Sequence, residues 1–218
     1  MYRLGVLISG RGSNLEAIAK SIASGYIGNA EIVVVVSNRD GVRGLKIAEQ
    51  YGIEALFLNP SGLSKEEYDA QLVEALRERN VDLVVLAGFM RILSPVFIRS
   101  FEGRIVNIHP SLLPAFRGLH AQRQAVEAGV RFSGATVHFV TEELDAGPII
   151  VQSVVPVFES DDEETLSDRI LKTEHEIYPM AIKLITEGKV RLSGKRVVCD
   201  CKWPDDGFYA INPLLLGR

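Results

Sequence analysis

Cysteine is nearly absent. Only 2 of the 218 residues carry a thiol, and both, Cys199 and Cys201, stand one residue apart near the carboxyl end. A disulfide across a single residue is strained, and a metal would lack two further soft ligands nearby, so these read as reduced, non-catalytic thiols with no metal centre. Positive charge is not in surplus either. The 24 Lys and Arg against 28 Asp and Glu leave a formal charge of -4, which gives no basic footprint for nucleic acid. An anionic ligand must then be held by local amides and a few cations. No apolar run reaches the length of a membrane span, and the opening run at residues 4–8 is too short for a signal core and passes at once into a glycine loop. The expected setting is cytoplasmic, away from membranes. Repeats and low-complexity stretches are also missing. What remains, 47% hydrophobic and 24% charged residues, describes an ordinary globular chain with one sizeable core.

Apolar runs at residues 4–8, 31–36, 55–58, 83–86, 105–108, 136–140 and 149–157 alternate, in the first half, with helical spacing at 14–24, 44–51 and 64–79. Strand and helix in alternation predict right-handed crossovers and an α/β, Rossmann-like, mainly parallel sheet with helices on both faces. Residues 142–148 form a breaker-rich connection, so the last two strands should extend the sheet as an antiparallel pair. A long helix is expected from Glu163 to about Glu187, with the acidic run 161–164 at its positive end. The expected division is a catalytic domain over 1–188 and a carboxyl-terminal hairpin and tail over 189–218.

Directly after the first strand comes Ser9-Gly10-Arg11-Gly12-Ser13-Asn14-Leu15-Glu16. Glycines let backbone amides approach an anion, and the first turn of a helix offers free N–H groups and partial positive charge. The spacing from Ser13 to Glu16 also fits a capping box, so the loop is either an anion cradle or simply a well-capped helix start. It lacks the Gly-Lys-Ser/Thr ending of a P-loop and the three-glycine dinucleotide pattern, which favours a single phosphate over a pyrophosphate.

The densest chemistry lies at Asn107-Ile108-His109-Pro110, followed by His138 and Asp145. Residues two apart on a strand share a face, so Asn107 and His109 should point at a common target. An amide can donate to a developing oxyanion without titrating, and an imidazole can donate and exchange protons near neutral pH. With Asp145 to orient His109, the set suits acyl transfer through a tetrahedral intermediate.

Gly-Ser-Asn-Leu at 12–15, Ala-Gly-Phe-Met-Arg-Ile-Leu-Ser at 87–94, Asn-Ile-His-Pro-Ser-Leu-Leu-Pro at 107–114, and the stretch from Gly134-Ala135-Thr136-Val137-His138-Phe139-Val140 to Asp145-Ala146-Gly147 occur in this order. Over residues 3–188 the chain resembles the phosphoribosylglycinamide formyltransferases, folate-dependent enzymes of purine biosynthesis. The resemblance implies the formyltransferase fold and 10-formyltetrahydrofolate as co-substrate, with Asn107, His109 and Asp145 as catalytic residues. It implies that Gly12, Ser13 and Asn14 hold the phosphate of glycinamide ribonucleotide while Glu174 meets its ribose hydroxyls. It also implies a folate site along Met90, Arg91, Ile92 and Leu93, where backbone groups would bond the pterin edge, with Leu86, Ile92, Leu93 and Val140 as apolar walls and Asn107 reaching the formyl group. His138 belongs to the same motif, supporting Asp145 or the folate, or packing as a buried structural histidine. Lys65 falls where relatives often carry an arginine, and offers charge without a rigid fork. His120 belongs to a segment expected to close the site, and His175 is read as structural.

Within the same fold, a methionyl-tRNA formyltransferase would need a tRNA-binding domain that these acidic-leaning residues do not supply. A formyltetrahydrofolate deformylase would use a similar site to deliver water, and a catalytically silent nucleotide-binding module would not need the three polar groups intact. Small-molecule substrates and a monomer or homodimer complete the expectation. The segment from Lys189 onward departs from these relatives, and no function is carried to it.

Overall fold

The computed structural model describes residues 1–201. Strands β1 (Tyr2–Ile8), β2 (Ala30–Ser37), β3 (Ala55–Phe57), β4 (Leu83–Leu86), β5 (Ile105–His109), β6 (Phe132–Phe139) and β7 (Ile149–Pro156) form one seven-stranded sheet in the order β3-β2-β1-β4-β5-β6-β7. The first five pair in parallel, while β6 runs antiparallel to β5 and β7 antiparallel to β6. The mixed sheet is therefore the expected one. Runs such as Val84 and Val85, fully buried in β4, are what a strand covered on both faces requires.

Helices α1 (Ser13–Ala23), α2 (Arg43–Gln50), α3 (Lys65–Glu78), α4 (Pro95–Ser100), α5 (Ala121–Glu127) and α6 (Glu163–Thr186) divide the buried apolar residues into two clusters. One cluster joins Leu15 and Ile18 of α1 to Ile170, Ile177 and Tyr178 of α6; the other joins Tyr68, Leu72 and Leu76 of α3 to Phe97 and Phe101. The acidic run does start α6. Asp162 is its N-cap and exchanges hydrogen bonds with Thr165, Glu163 and Glu164 occupy the first turn, and Asp161 pairs with Arg169.

Chain order reverses around β1, where β2 continues to one side and β4 lies on the other. Ligands of open parallel sheets bind in the crevice outside the carboxyl ends of strands at such a point. The loop after β1 and the loop after β4 flank that crevice, and the end of β5 lies next to it.

Two expectations change and one open alternative closes. The capping box at Ser13 does not form: Gly12 is the N-cap in a left-handed conformation with no side-chain cap, and Glu16 pairs with Lys20 and Arg43. Ser13 is already inside the helix, so its hydroxyl is not placed to cap. The thiols are not separate: Cys199 and Cys201 form a disulfide with Cα atoms 5.2 Å apart. Between the two cysteines, the Asp200 amide donates to the Lys189 carbonyl at 2.8 Å. Finally, α4 and α5 are additional short helices. The predicted hairpin is present as β8 (Val190–Ser193) paired with β9 (Arg196–Cys199), and the trailing coil predicted beyond it lies outside the described residues.

Candidate active site

The loop after β1 is shaped by close backbone approach. Gly12 has φ of +76°, and a Cβ there would lie 2.6 Å from the Gly44 Cα. The Gly44 amide in turn donates to the Gly10 carbonyl at 3.1 Å. The start of α2 thus braces the loop, and the first-turn amides of α1, which have no intrahelical acceptor, face outward from a fixed position. Asn14 then turns towards α6: its Nδ2 donates to Glu174 Oε2 at 2.7 Å, while its Oδ1 is buried with no hydrogen-bond partner. Burial pushes the Glu174 carboxyl above the usual range, against the opposing Asn14 bond and the nearby His109 and Arg11.

The polar cluster gathers at the end of β5. Asn107 stands opposite His138 of β6, and His109 opposite Thr136. His109 Nε2 donates to the Phe116 carbonyl at 2.9 Å, and Nδ1 lies 3.4 Å from Asp145 Oδ2. Both ring nitrogens therefore face oxygen acceptors, and a neutral ring could donate to only one of them. Asp145, in the β6–β7 connection with φ of +49°, also accepts the Gly118 amide at 2.9 Å. Its side chain and that of His109 are 8% and 7% exposed, so the pair is shielded from bulk water. Gly147 permits this arrangement, because a Cβ there would overlap the Phe139 carbonyl at the end of β6.

Behind His109, residues 111–116 form a strap held from the antiparallel strands. Thr136 Oγ1 donates to the Ser111 carbonyl at 2.7 Å and accepts the Leu113 amide at 3.1 Å. Gln152 Nε2 donates to the Leu113 carbonyl at 3.0 Å, and Ser111 Oγ to the Ala115 carbonyl at 2.6 Å. These bonds set the Phe116 carbonyl against His109.

The loop after β4 is fixed from α3. Asp69, buried, accepts the Ser94 amide at 2.5 Å, and the Arg91 guanidinium lies over the Tyr68 ring at 4.6 Å from its centroid. Lys65 stands one helical turn before Asp69 at the start of α3. Leu86 and Leu93 are buried and Val140 packs against the same cluster. Ile92 is not buried with them. With Arg91 held on Tyr68 and Leu93 turned inward, Met90 and Ile92 point outward, 65% and 66% exposed.

Comparison with known proteins shows the family. The formyl transferase family matches residues 2–182. The chain belongs to that family. It is 46% identical over 207 residues to the phosphoribosylglycinamide formyltransferase of Escherichia coli strain K12, covering 94% of this chain and 97% of that protein. The glycinamide ribonucleotide transformylase 1 structure from Symbiobacterium toebii is 50% identical with a TM-score of 0.89, covering 91% of this chain and 94% of that one. The trifunctional purine biosynthetic protein adenosine-3 of Drosophila melanogaster is 49% identical over 193 residues, which is 88% of this chain. This formyl transferase spans only 14% of that relative's length.

Sequence reasoning missed four supports of the site. Ser9 Oγ donates to Asn38 Oδ1 at 2.6 Å and accepts the Met90 amide at 2.8 Å, tying the two crevice loops together. The Tyr178 hydroxyl, fully buried, reaches the carbonyls of Leu86 at 2.9 Å and Val106 at 3.1 Å. Thr136 and Gln152 hold the strap. Ser9 ends the first apolar run and was in view as part of the glycine loop. The other three act across more than fifteen residues of sequence, and no local pattern marks them.

Proposed function

We propose that this formyl transferase moves the formyl group of 10-formyltetrahydrofolate to the glycine amine of N1-(5-phospho-D-ribosyl)glycinamide, a step of de novo purine synthesis. The observation that carries the reading is the His109–Asp145 contact beside Asn107, at the same crevice as the Gly12 loop. The phosphate is held by the first-turn amides at Gly12, Ser13 and Asn14. The ribose hydroxyls meet Glu174 and the unpartnered buried Oδ1 of Asn14, an acceptor that a sugar hydroxyl satisfies. The folate lies along residues 90–93, with the exposed Met90 and Ile92, the buried Leu86 and Leu93, and Val140 around it, and with Lys65 and Arg91 near its charged end.

The amine attacks the formyl carbon, forming a C–N bond as the carbonyl oxygen takes the negative charge. Asn107 donates to that oxygen, and His109 does so when its Nε2 hydrogen passes from the Phe116 carbonyl to it. The attacking nitrogen loses a proton towards Asp145, and the bond from the formyl carbon to the folate nitrogen breaks as that nitrogen is protonated, leaving tetrahydrofolate. No covalent bond to the protein is needed. A phosphorylated substrate does not cross a bilayer unaided, and this supports a cytoplasmic reaction.

The test is a formyl-transfer assay with and without the ribonucleotide. Formylated ribonucleotide and tetrahydrofolate should appear in equal amounts and only when both substrates are present. Formate released without the ribonucleotide would instead make the chain a deformylase, and ribonucleotide binding without turnover would make it a silent nucleotide-binding module.

A further inference from the structure

The partners of His138 fix where its proton sits. Nδ1 lies 2.9 Å from the Phe139 carbonyl, which can only accept, so Nδ1 carries the hydrogen. Nε2 lies 3.3 Å from Asn107 Nδ2, which can only donate, so Nε2 is the bare nitrogen of a neutral ring. A reversed Asn107 amide would set its oxygen against that bare nitrogen, two acceptors with no hydrogen between them. Asp145 Oδ1 stands 3.9 Å from the same nitrogen, beyond hydrogen-bonding distance, so His138 does not serve Asp145 directly.

We propose that His138 is a positioning residue for Asn107: it accepts one of the two Nδ2 hydrogens and leaves the other aimed at the oxygen of the transferred formyl group. This rests on the reading of Asn107 as an oxyanion donor. Side-chain amides rotate at little cost unless a partner holds them, and a catalytic donor is effective only when its orientation is set before reaction. The surroundings keep His138 in the accepting state. The ring is 2% exposed, and burial holds it below the usual histidine range, helped by His109 on β5 and opposed by the Phe139 carbonyl and by Asp145 in the following connection.

The experiment compares His138→Leu and His138→Gln, each alone and combined with Asn107→Ala. His138→Leu should lower kcat by about 10–100-fold, the usual effect of removing a group that orients a site residue, with KM for both substrates nearly unchanged. His138→Gln should restore part of that loss, because its amide oxygen can accept from Asn107. In the Asn107→Ala background, His138→Leu should cost nothing further, since no amide is left to orient. An equal loss from His138→Leu in both backgrounds would overturn the proposal and make the residue one of packing only. Wild-type kcat in His138→Leu with a slowed Asn107→Ala would overturn the proposal alone. Full activity in Asn107→Ala would remove the underlying reading and the proposal with it. If His138→Leu does not fold, nitrogen NMR of the wild-type ring decides: a protonated Nδ1 with a bare Nε2 at neutral pH is expected, and the opposite tautomer or a charged ring contradicts it.

Discussion

Strands β1 and β4 end in loops that offer the crevice chiefly backbone groups: the first-turn amides of α1 and the chain at 90–93. Strands β5 and β6 offer side chains, Asn107, His109 and His138, with Asp145 just beyond. Strands β1 and β4 thus supply a shaped anion site whose main sequence requirement is room for the chain, met by Gly12 against Gly44. The β5–β6 pair, where the sheet turns antiparallel, supplies titratable and amide groups, each with a specific partner. Binding should be sensitive to backbone geometry on one side, and chemistry to single functional groups on the other.

The sharpest break of this contrast is Asn107→Ala. Loss of one preorganised oxyanion donor should lower kcat roughly 100–1000-fold, with KM for the ribonucleotide nearly unchanged in steady-state kinetics. The counterpart on the side of β1 and β4 is Gly12→Ala. A methyl group forced to +76° and against the Gly44 Cα should displace the loop at a cost of about 1–3 kcal/mol. It should appear mainly as a higher KM for the ribonucleotide and weaker binding of inorganic phosphate, with kcat less affected.

Glu174 joins the two sides, and its titration gives a prediction of opposite sign. Burial raises its folded-state pKa, so the stability it allows is fully present below the unfolded value of 4.5 and is lost as pH rises through the folded value. Glu174→Gln should therefore melt higher than wild type at neutral pH, with the gap closing below 4.5, while binding the ribonucleotide less well. Thermal melts across pH, paired with substrate titration, check both halves.

The smallest effect is expected at the foot of α6, away from the crevice. Arg169 holds the Asp161 carboxyl down to about 2, and the Asp161 side chain is only 4% exposed. This lowered value stabilises the fold above the unfolded value of 3.8, and the contribution is lost as pH falls towards 2. Asp161→Asn should lower the melting temperature modestly at neutral pH, lose its difference from wild type in strong acid, and leave kcat untouched.

The parallel strands were legible because burial on both faces demands near-continuous apolar runs, and Val84 and Val85 are examples. Asn107 and His109 were legible because strand alternation alone puts them on one face. The β6 register was not. Only pairing places His138 opposite Asn107 and Thr136 opposite His109. Helices α4 and α5, six and seven residues long, are too short for apolar periodicity to show. The absence of a capping box at Ser13 has a conformational cause: the left-handed Gly12 takes the N-cap position, and its close approach to Gly44, distant in sequence, favours glycine there.

Tyr178 has one hydroxyl proton and two acceptors, Leu86 at the end of β4 and Val106 in β5. It therefore stitches β4 to β5, the strand that carries Asn107 and His109, from a helix that also carries Glu174. Local opening should begin elsewhere. Amides along β4 and β5 beside this stitch are expected to be among the last to exchange with deuterated solvent, and in Tyr178→Phe they should exchange sooner while the hairpin at 190–199 exchanges as before.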